Sequence, residues 1–241
     1  MTPEAVAFAA GGRGRYTAVV IKNIVRGLCA LSLVPALFSA PAAQAAPAPE
    51  VMTLADAVAL VTVTEEDRTG YTRSKFKHWN GGDDAGDGCN TRNEVLLAEA
   101  VVAPTVEPGC KLTGGTWISY YDGQEVTRAG ALDIDHMVPL AEAWDSGASA
   151  WTPARREAYA NDQGADISLV AVTARTNRQK ADQDPADWMP PSPQAQCRYA
   201  GEWVSTKLRW QLTADDRELE ALKVFAEGSC EDTVVRYTLA D

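Results

Sequence analysis

Residues 133–139 read DIDHMVP, and they hold His136, one of only two histidines in a chain of 241 residues. The stretch ALDIDH (131–136) alternates in residue type and reads as a strand, and SLVAVT (168–173) reads as a second, short apolar strand. Behind it RTNRQKADQ (175–183) returns to helical character before Pro185 and the Pro190-Pro191 pair end it. Strand, connection, strand, helix is a ββα order, with an acid–histidine pair closing the first strand. A neutral imidazole beside a carboxylate can be a buried structural pair, a metal ligand with its neighbour, or a general base next to a metal-binding acid. The dipeptide alone does not choose among them.

Working outward, PLAEAWDSGA (139–148) and TPARREAYAND (152–162) fill the connection with helical turns, the second opening on a Thr-Pro cap. Upstream, TWISYYDGQEVTR (116–128) alternates around Asp122-Gly123, the pattern of a β-hairpin. TRNEVLLAEAVV (91–102) predicts a helix behind the glycine-rich loop NGGDDAGDGCN (80–90), and TLADAVALVTVTEED (53–67) predicts an entry helix capped by Thr53. Downstream, 197–212 and 213–230 predict two helices joined at Thr213, a candidate cap.

At the N-terminus, Arg13, Arg15, Lys22 and Arg26 precede the apolar run GLCALSLVPALFSA and the small residues around Ala43-Gln44-Ala45. That is the pattern of a secretory signal peptide over residues 1–45, too short in its apolar part to span a bilayer, so no membrane anchor is expected after cleavage. Residues 46–241 are then a single exported domain. Its removal takes away four basic residues and one acid from a chain whose formal net charge is already −11. Such acidity weighs against broad adhesion to nucleic acid, which depends on Lys and Arg at the phosphates. Local basic clusters, RTGYTRSKFK (68–77) and RTNRQK (175–180), still allow a narrow electropositive groove.

Of five cysteines, Cys29 leaves with the signal, and Cys89, Cys110, Cys197 and Cys230 remain. An even number in an exported chain predicts two disulfides. Three connectivities exist, and sequence order favours Cys89–Cys110 with Cys197–Cys230, the second stapling a helical hairpin over about 195–230. Asp83, Asp87 and Glu94 nearly match the spacing of an EF-hand loop, although Ala85 stands where a ligand belongs. A weak Ca²⁺ loop is one reading; a glycine turn pinned by Cys89 is the other. The seven tryptophans are read as packing residues, and His78 in FKHW as packed among aromatics.

The residues DIDHMVPLAEAWDSGA and SLVAVTARTNRQKADQDPADWMPP resemble the signature of HNH endonucleases. In particular they resemble secreted bacterial proteins carrying the domain found at the C-terminal end of GmrSD restriction endonucleases. GDGCNTRNEVL upstream and CRYAGEW with KLRW downstream are similar to the same group. The resemblance implies an α+β fold with a ββα-metal (HNH, His-Me finger) core at about 131–184 and flanking helices. It implies His136 as the base that activates water, and Asp135 and Asn177 as ligands of a divalent metal, Mg²⁺ first and Mn²⁺ second. Arg92 resembles a recurrent arginine of the group, either a phosphate clamp or a member of a structural ion pair. Lys180, one helical turn past Asn177, is a candidate phosphate contact or an ordinary helix lysine. The middle asparagine of the motif falls at Ser168, with Asn161 seven residues earlier; either serine serves or the loop is held differently.

The sequence thus predicts a secreted, metal-dependent endonuclease acting on DNA, with RNA as the second choice, and with low sequence specificity. No stable protein partner is evident in it. Two other classes compete: a catalytically idle extracellular module binding nucleic acid or a surface polymer, and a different metal hydrolase acting on small phosphate esters.

Overall fold

The computed structural model describes residues 48–240, so the expected signal peptide lies outside the described residues. The elements in chain order are β1 (Glu50–Thr53), α1 (Leu54–Leu60), α2 (Thr91–Ala98), β2 (Thr105–Glu107), β3 (Lys111–Thr113), β4 (Trp117–Ile118) and β5 (Glu125–Val126), followed by β6 (Leu132–His136), α3 (Leu140–Asp145), α4 (Pro153–Ala160), β7 (Leu169–Thr173), α5 (Ala174–Lys180), α6 (Pro193–Trp210), α7 (Asp216–Ala226) and β8 (Val234–Tyr237). The strands pair in antiparallel twos, β1 with β8, β2 with β3, β4 with β5 and β6 with β7. This is a mixed α+β architecture with small sheets.

Local chemistry explains most boundaries. Thr53, Asn90, Thr152 and Thr173 cap α1, α2, α4 and α5, each side chain accepting a backbone N–H of the first turn. The entry helix stops at Leu60, short of the expected span, because the β-branched run from Val61 leaves the helix, and Val63 bridges to Ala214 instead. Asp215, not Thr213, caps α7, accepting the Glu218 N–H at 2.7 Å. Thr213 is drawn away: its N–H and hydroxyl both donate to Ser146 O.

The disulfides join Cys89 to Cys110 and Cys197 to Cys230, the second linking the start of α6 to the chain just past α7. A buried ion cluster ties α3, α6 and α7 together. Lys207 Nζ donates to Glu142 Oε1 (2.8 Å), Glu218 Oε2 (2.7 Å), Ser146 Oγ (2.9 Å) and Thr213 O (2.7 Å). The carboxylates of Glu66, Glu142 and Glu218 converge here, and Lys207 supplies a cation between two of them.

The β6–β7 ribbon lies between two apolar clusters. Leu132, Ile134, Leu169 and Ala171 face a smaller one with Val95, Leu96 and Trp117, while Val170 and Val172 face the main core. Partners across an antiparallel pair share a face, and the register sets Asp135 opposite Val170 and His136 opposite Leu169. Asp135 and His136 therefore leave the strand on opposite sides. The outer edge of β7 is closed by Tyr120 N–H to Ala171 O (3.1 Å), Ala171 N–H to Glu99 Oε2 (2.9 Å) and Thr173 N–H to Ser119 Oγ (2.9 Å), which removes an exposed template for pairing.

Candidate active site

His136 sits at the end of β6 with its ring held on every side. Trp79 lies nearly parallel on one side, with ring centres 5.6 Å apart, and Tyr159 on the other at 6.2 Å. Nε2 lies 2.9 Å from Ala160 O, and since a carbonyl can only accept, Nε2 carries the proton. Nδ1 is then the bare nitrogen, and it has no hydrogen-bond partner among the described residues. Burial pushes the ring down to about 3 from its ordinary value, against the pull of Ala160 O; Arg73, His78 and Lys180 add to the depression. The ring is neutral throughout the physiological range.

That neutrality has a stability signature. The folded chain refuses a proton that the unfolded chain accepts near 6.5, so stability is full above 6.5 and falls as pH drops towards 3. The slope is at most about 1.4 kcal/mol per pH unit. Melting curves of the parent and of His136→Gln between pH 7 and 4 should diverge in this sense, the variant losing less on acidification; parallel curves would show that His136 titrates normally in the fold.

On the opposite face, Asp135 Oδ2 accepts Lys180 Nζ at 2.6 Å and the Tyr121 hydroxyl at 2.7 Å. Lys180 is fully buried and also donates to His136 O (2.8 Å) and Met137 O (2.9 Å), beneath the rings of Tyr121, Tyr199 and Trp203. Burial draws its ammonium down and Asp135 pulls it back up. It ties α5 to the end of β6 and fixes the backbone that carries His136. A surface contact to phosphate is therefore corrected: the spacing put Lys180 on the Asn177 face, and that face is covered by aromatic residues of α6.

Asn177 Nδ2 donates to Asp133 Oδ2 at 3.0 Å, so α5 reaches β6 through Asp133, and Asp135 belongs to Lys180. Arg92 Nη2 donates to Ala129 O (3.2 Å) and Leu132 O (2.9 Å), and Nη1 to Asn93 Oδ1. It anchors the entry to β6 through backbone carbonyls, and is not part of an ion pair among the described residues. The candidate calcium ligands do not converge. Glu94 accepts the N–H groups of Asp83 and Asp84 and the Gln163 amide, and Asp87 accepts the Cys89 N–H. Among the described residues, the acidic groups that do converge are Glu66 with Glu142 and Glu218, and Glu66 with Asp184 and Asp215.

The loop before β7 is held by residues the sequence did not single out as a unit. Ser168 O accepts the Met137 N–H at 2.9 Å, and Ser168 Oγ donates to Asp162 Oδ2 at 2.6 Å. Asp162 also accepts Arg209 Nε (2.8 Å) and Nη2 (2.9 Å), Trp210 Nε1 (2.9 Å) and the Gly164 N–H (3.0 Å). Asn161 binds the 77–80 segment, donating to Lys77 O and accepting from the Asn80 N–H and the Thr91 hydroxyl. Ser168 is thus tied to Asp162, while Asn161 holds the segment that carries Trp79. His78 packs edge-on against Trp79 at 5.3 Å, with Nδ1 2.9 Å from Phe76 O.

Residues 107–223, from the end of β2 to within α7, match the family described as the C-terminal domain of GmrSD restriction endonucleases. The chain belongs to this family. β6, β7, α5 and the Asp162 loop all fall inside the match. A protein of Arthroderma benhamiae described as an uncharacterized secreted protein is 40% identical over 153 residues, covering 64% of this chain and 72% of the relative. That relative is fungal, so the bacterial origin expected for the group is not what it shows. No solved structure matches. No helix among the described residues is long and apolar enough to cross a membrane.

Trp79, Tyr121, Tyr159 and Asp162 are the site residues that sequence reading missed. Trp79 was visible in FKHW as an aromatic beside a histidine, and Tyr121 in the paired tyrosines of the hairpin. Asp162 gave no local signal.

Proposed function

We propose that this GmrSD C-terminal domain is an exported endonuclease that hydrolyses phosphodiester bonds in DNA, with RNA as the second substrate, and that His136 is its general base. The observation that supports this most is the tautomer: Ala160 O fixes the proton on Nε2, which leaves Nδ1 as a positioned, neutral acceptor. In this reading a water oxygen attacks phosphorus while its proton passes to Nδ1, and the leaving oxygen departs in line. The buried ring is a weak base as it stands; an anionic phosphodiester beside it favours the imidazolium and draws its basicity up as substrate docks. Trp79 and Tyr159 hold the ring plane, and Lys180 holds the backbone beneath it.

The metal is carried by the family likeness. Of the proposed ligands, Asp135 Oδ2 is taken by Lys180, while Asn177 spends only its amide N–H on Asp133 and keeps Oδ1, the atom with which an amide ligates. Ca²⁺ at 83–94 has no convergent ligands among the described residues to support it. Export is supported by the two disulfides and by the secreted relative.

A second reading is favoured by that same Asp135–Lys180 pair: a binding module on this fold that holds nucleic acid without turning it over. Supercoiled plasmid separates them. The folded chain should nick and linearise plasmid with Mg²⁺ or Mn²⁺ and lose that activity with chelator. Intact plasmid with every metal, from protein with an intact melting transition, would leave the binding module standing. Cleavage that survives chelator would remove the metal from the account.

A further inference from the structure

A cleft of about 620 Å³ opens against the outer edge of β7. Its apolar floor is formed by Val95 of α2, Ile118 of β4 and Leu169 of β7, and its polar wall by Glu99, Asp166 and Arg198. The size lies within the range of small-molecule sites and is ample for one nucleoside. Leu169 pairs with His136 across the ribbon, and the Asp162 loop on the cleft's flank begins at Ala160, the carbonyl partner of the His136 ring. The cleft therefore starts one strand away from the proposed base.

Its polarity is specific. Arg198 already pairs with Glu202 at 2.7 Å and stacks on Tyr120 at 4.5 Å, so its charge is matched within the protein. Asp162 has both oxygens engaged. Glu99 is different: one oxygen accepts the Ala171 N–H, and the other has no hydrogen-bond partner among the described residues. Burial holds this carboxyl up to about 7, against the pull of the Ala171 N–H and Arg198, with Glu202 and Asp166 adding to the rise. An acidic wall over an apolar floor repels phosphate and suits a flat ligand that presents neighbouring N–H donors. Among nucleobases, guanine does this with N1–H and the 2-amino group side by side.

We propose that this cleft is a nucleobase subsite in which Glu99 receives the donor edge of guanine, giving a guanine preference beside the bond that is cut. The role in cleavage rests on the nuclease reading; the binding itself does not. The cleft refines the expectation of low sequence specificity to a preference at one base.

The test titrates guanosine, inosine and uridine into the folded chain by calorimetry. Guanosine should bind saturably, with inosine, which lacks the 2-amino group, roughly tenfold weaker, a difference of about 1.4 kcal/mol. Glu99→Gln keeps an acceptor for the Ala171 N–H and should weaken guanosine by a similar factor; Gln194→Trp, on the exposed rim, should block it without shifting the melting transition. Guanosine that fails to saturate at millimolar concentration, binds no better than inosine, or ignores both variants would overturn the subsite. Guanosine binding as described by a chain that leaves plasmid intact would remove the nuclease reading and keep the cleft; cleavage without nucleoside binding would do the reverse.

Discussion

Asp162→Ala should cost about 3–5 kcal/mol of folding stability, the range seen when one partner of a buried ion pair is removed. Asp162 is 6% exposed and accepts five hydrogen bonds, from Ser168, Gly164, Trp210 and two nitrogens of Arg209. Truncation leaves the Arg209 guanidinium without this carboxylate and Trp210 Nε1 without its acceptor, both in the interior. For a domain of this size the loss should lower the melting temperature by roughly 10 °C. Asp162→Asn, which keeps the shape and one acceptor, should fall between parent and alanine. A loss below about 1 kcal/mol for alanine would mean that water or a neighbour replaces the carboxylate, and that the loop does not depend on it.

The same residue braces the loop at position 168. Ser168 is too short to brace the loop around His136 alone, and Asp162 extends its reach to α6. The loop is thereby tied to a long helix outside the ββα unit.

The legible parts of this protein are those fixed by neighbours in sequence. The alternation of LDIDH, the apolar run LVAVT and the caps Thr53 and Thr152 encode their elements locally, and both disulfides join cysteines adjacent in order. The β1–β8 pair was not legible, because its strands come from opposite ends of the described chain and meet only when α1 and α6 pack. The β2–β3 hairpin was missed for another reason: each strand has three residues, too few for a periodic signal. At the site, His136 stood out by rarity and context. The burial of Lys180 depends on Tyr199 and Trp203, about a helix and a loop away in sequence, and no local pattern reports it. The opposite facing of Asp135 and His136 was implicit in the two-residue period of a strand, and it is what gives Asp135 to Lys180.

The other large effect is on activity. His136→Ala should lower the rate of phosphodiester cleavage by about 10²–10⁴-fold, the usual contribution of a positioned general base. The fold should survive, because the ring makes one hydrogen bond and its removal exposes no buried charge. The loss should appear in kcat and leave KM near the parent value, since in the proposed reaction Nδ1 acts on the attacking water and not on the bound strand. His136→Gln, which can still donate to Ala160 O but has no basic nitrogen, should be as inactive as alanine, which separates the base from a merely structural ring.

The most direct measurement is therefore the single-turnover cleavage rate of parent, His136→Ala and His136→Gln under conditions where all three are fully folded by thermal melting. The account predicts that both variants fall by at least about 10²-fold together. Cleavage by either variant at the parent rate would contradict it, and would move the chemistry of this domain away from His136.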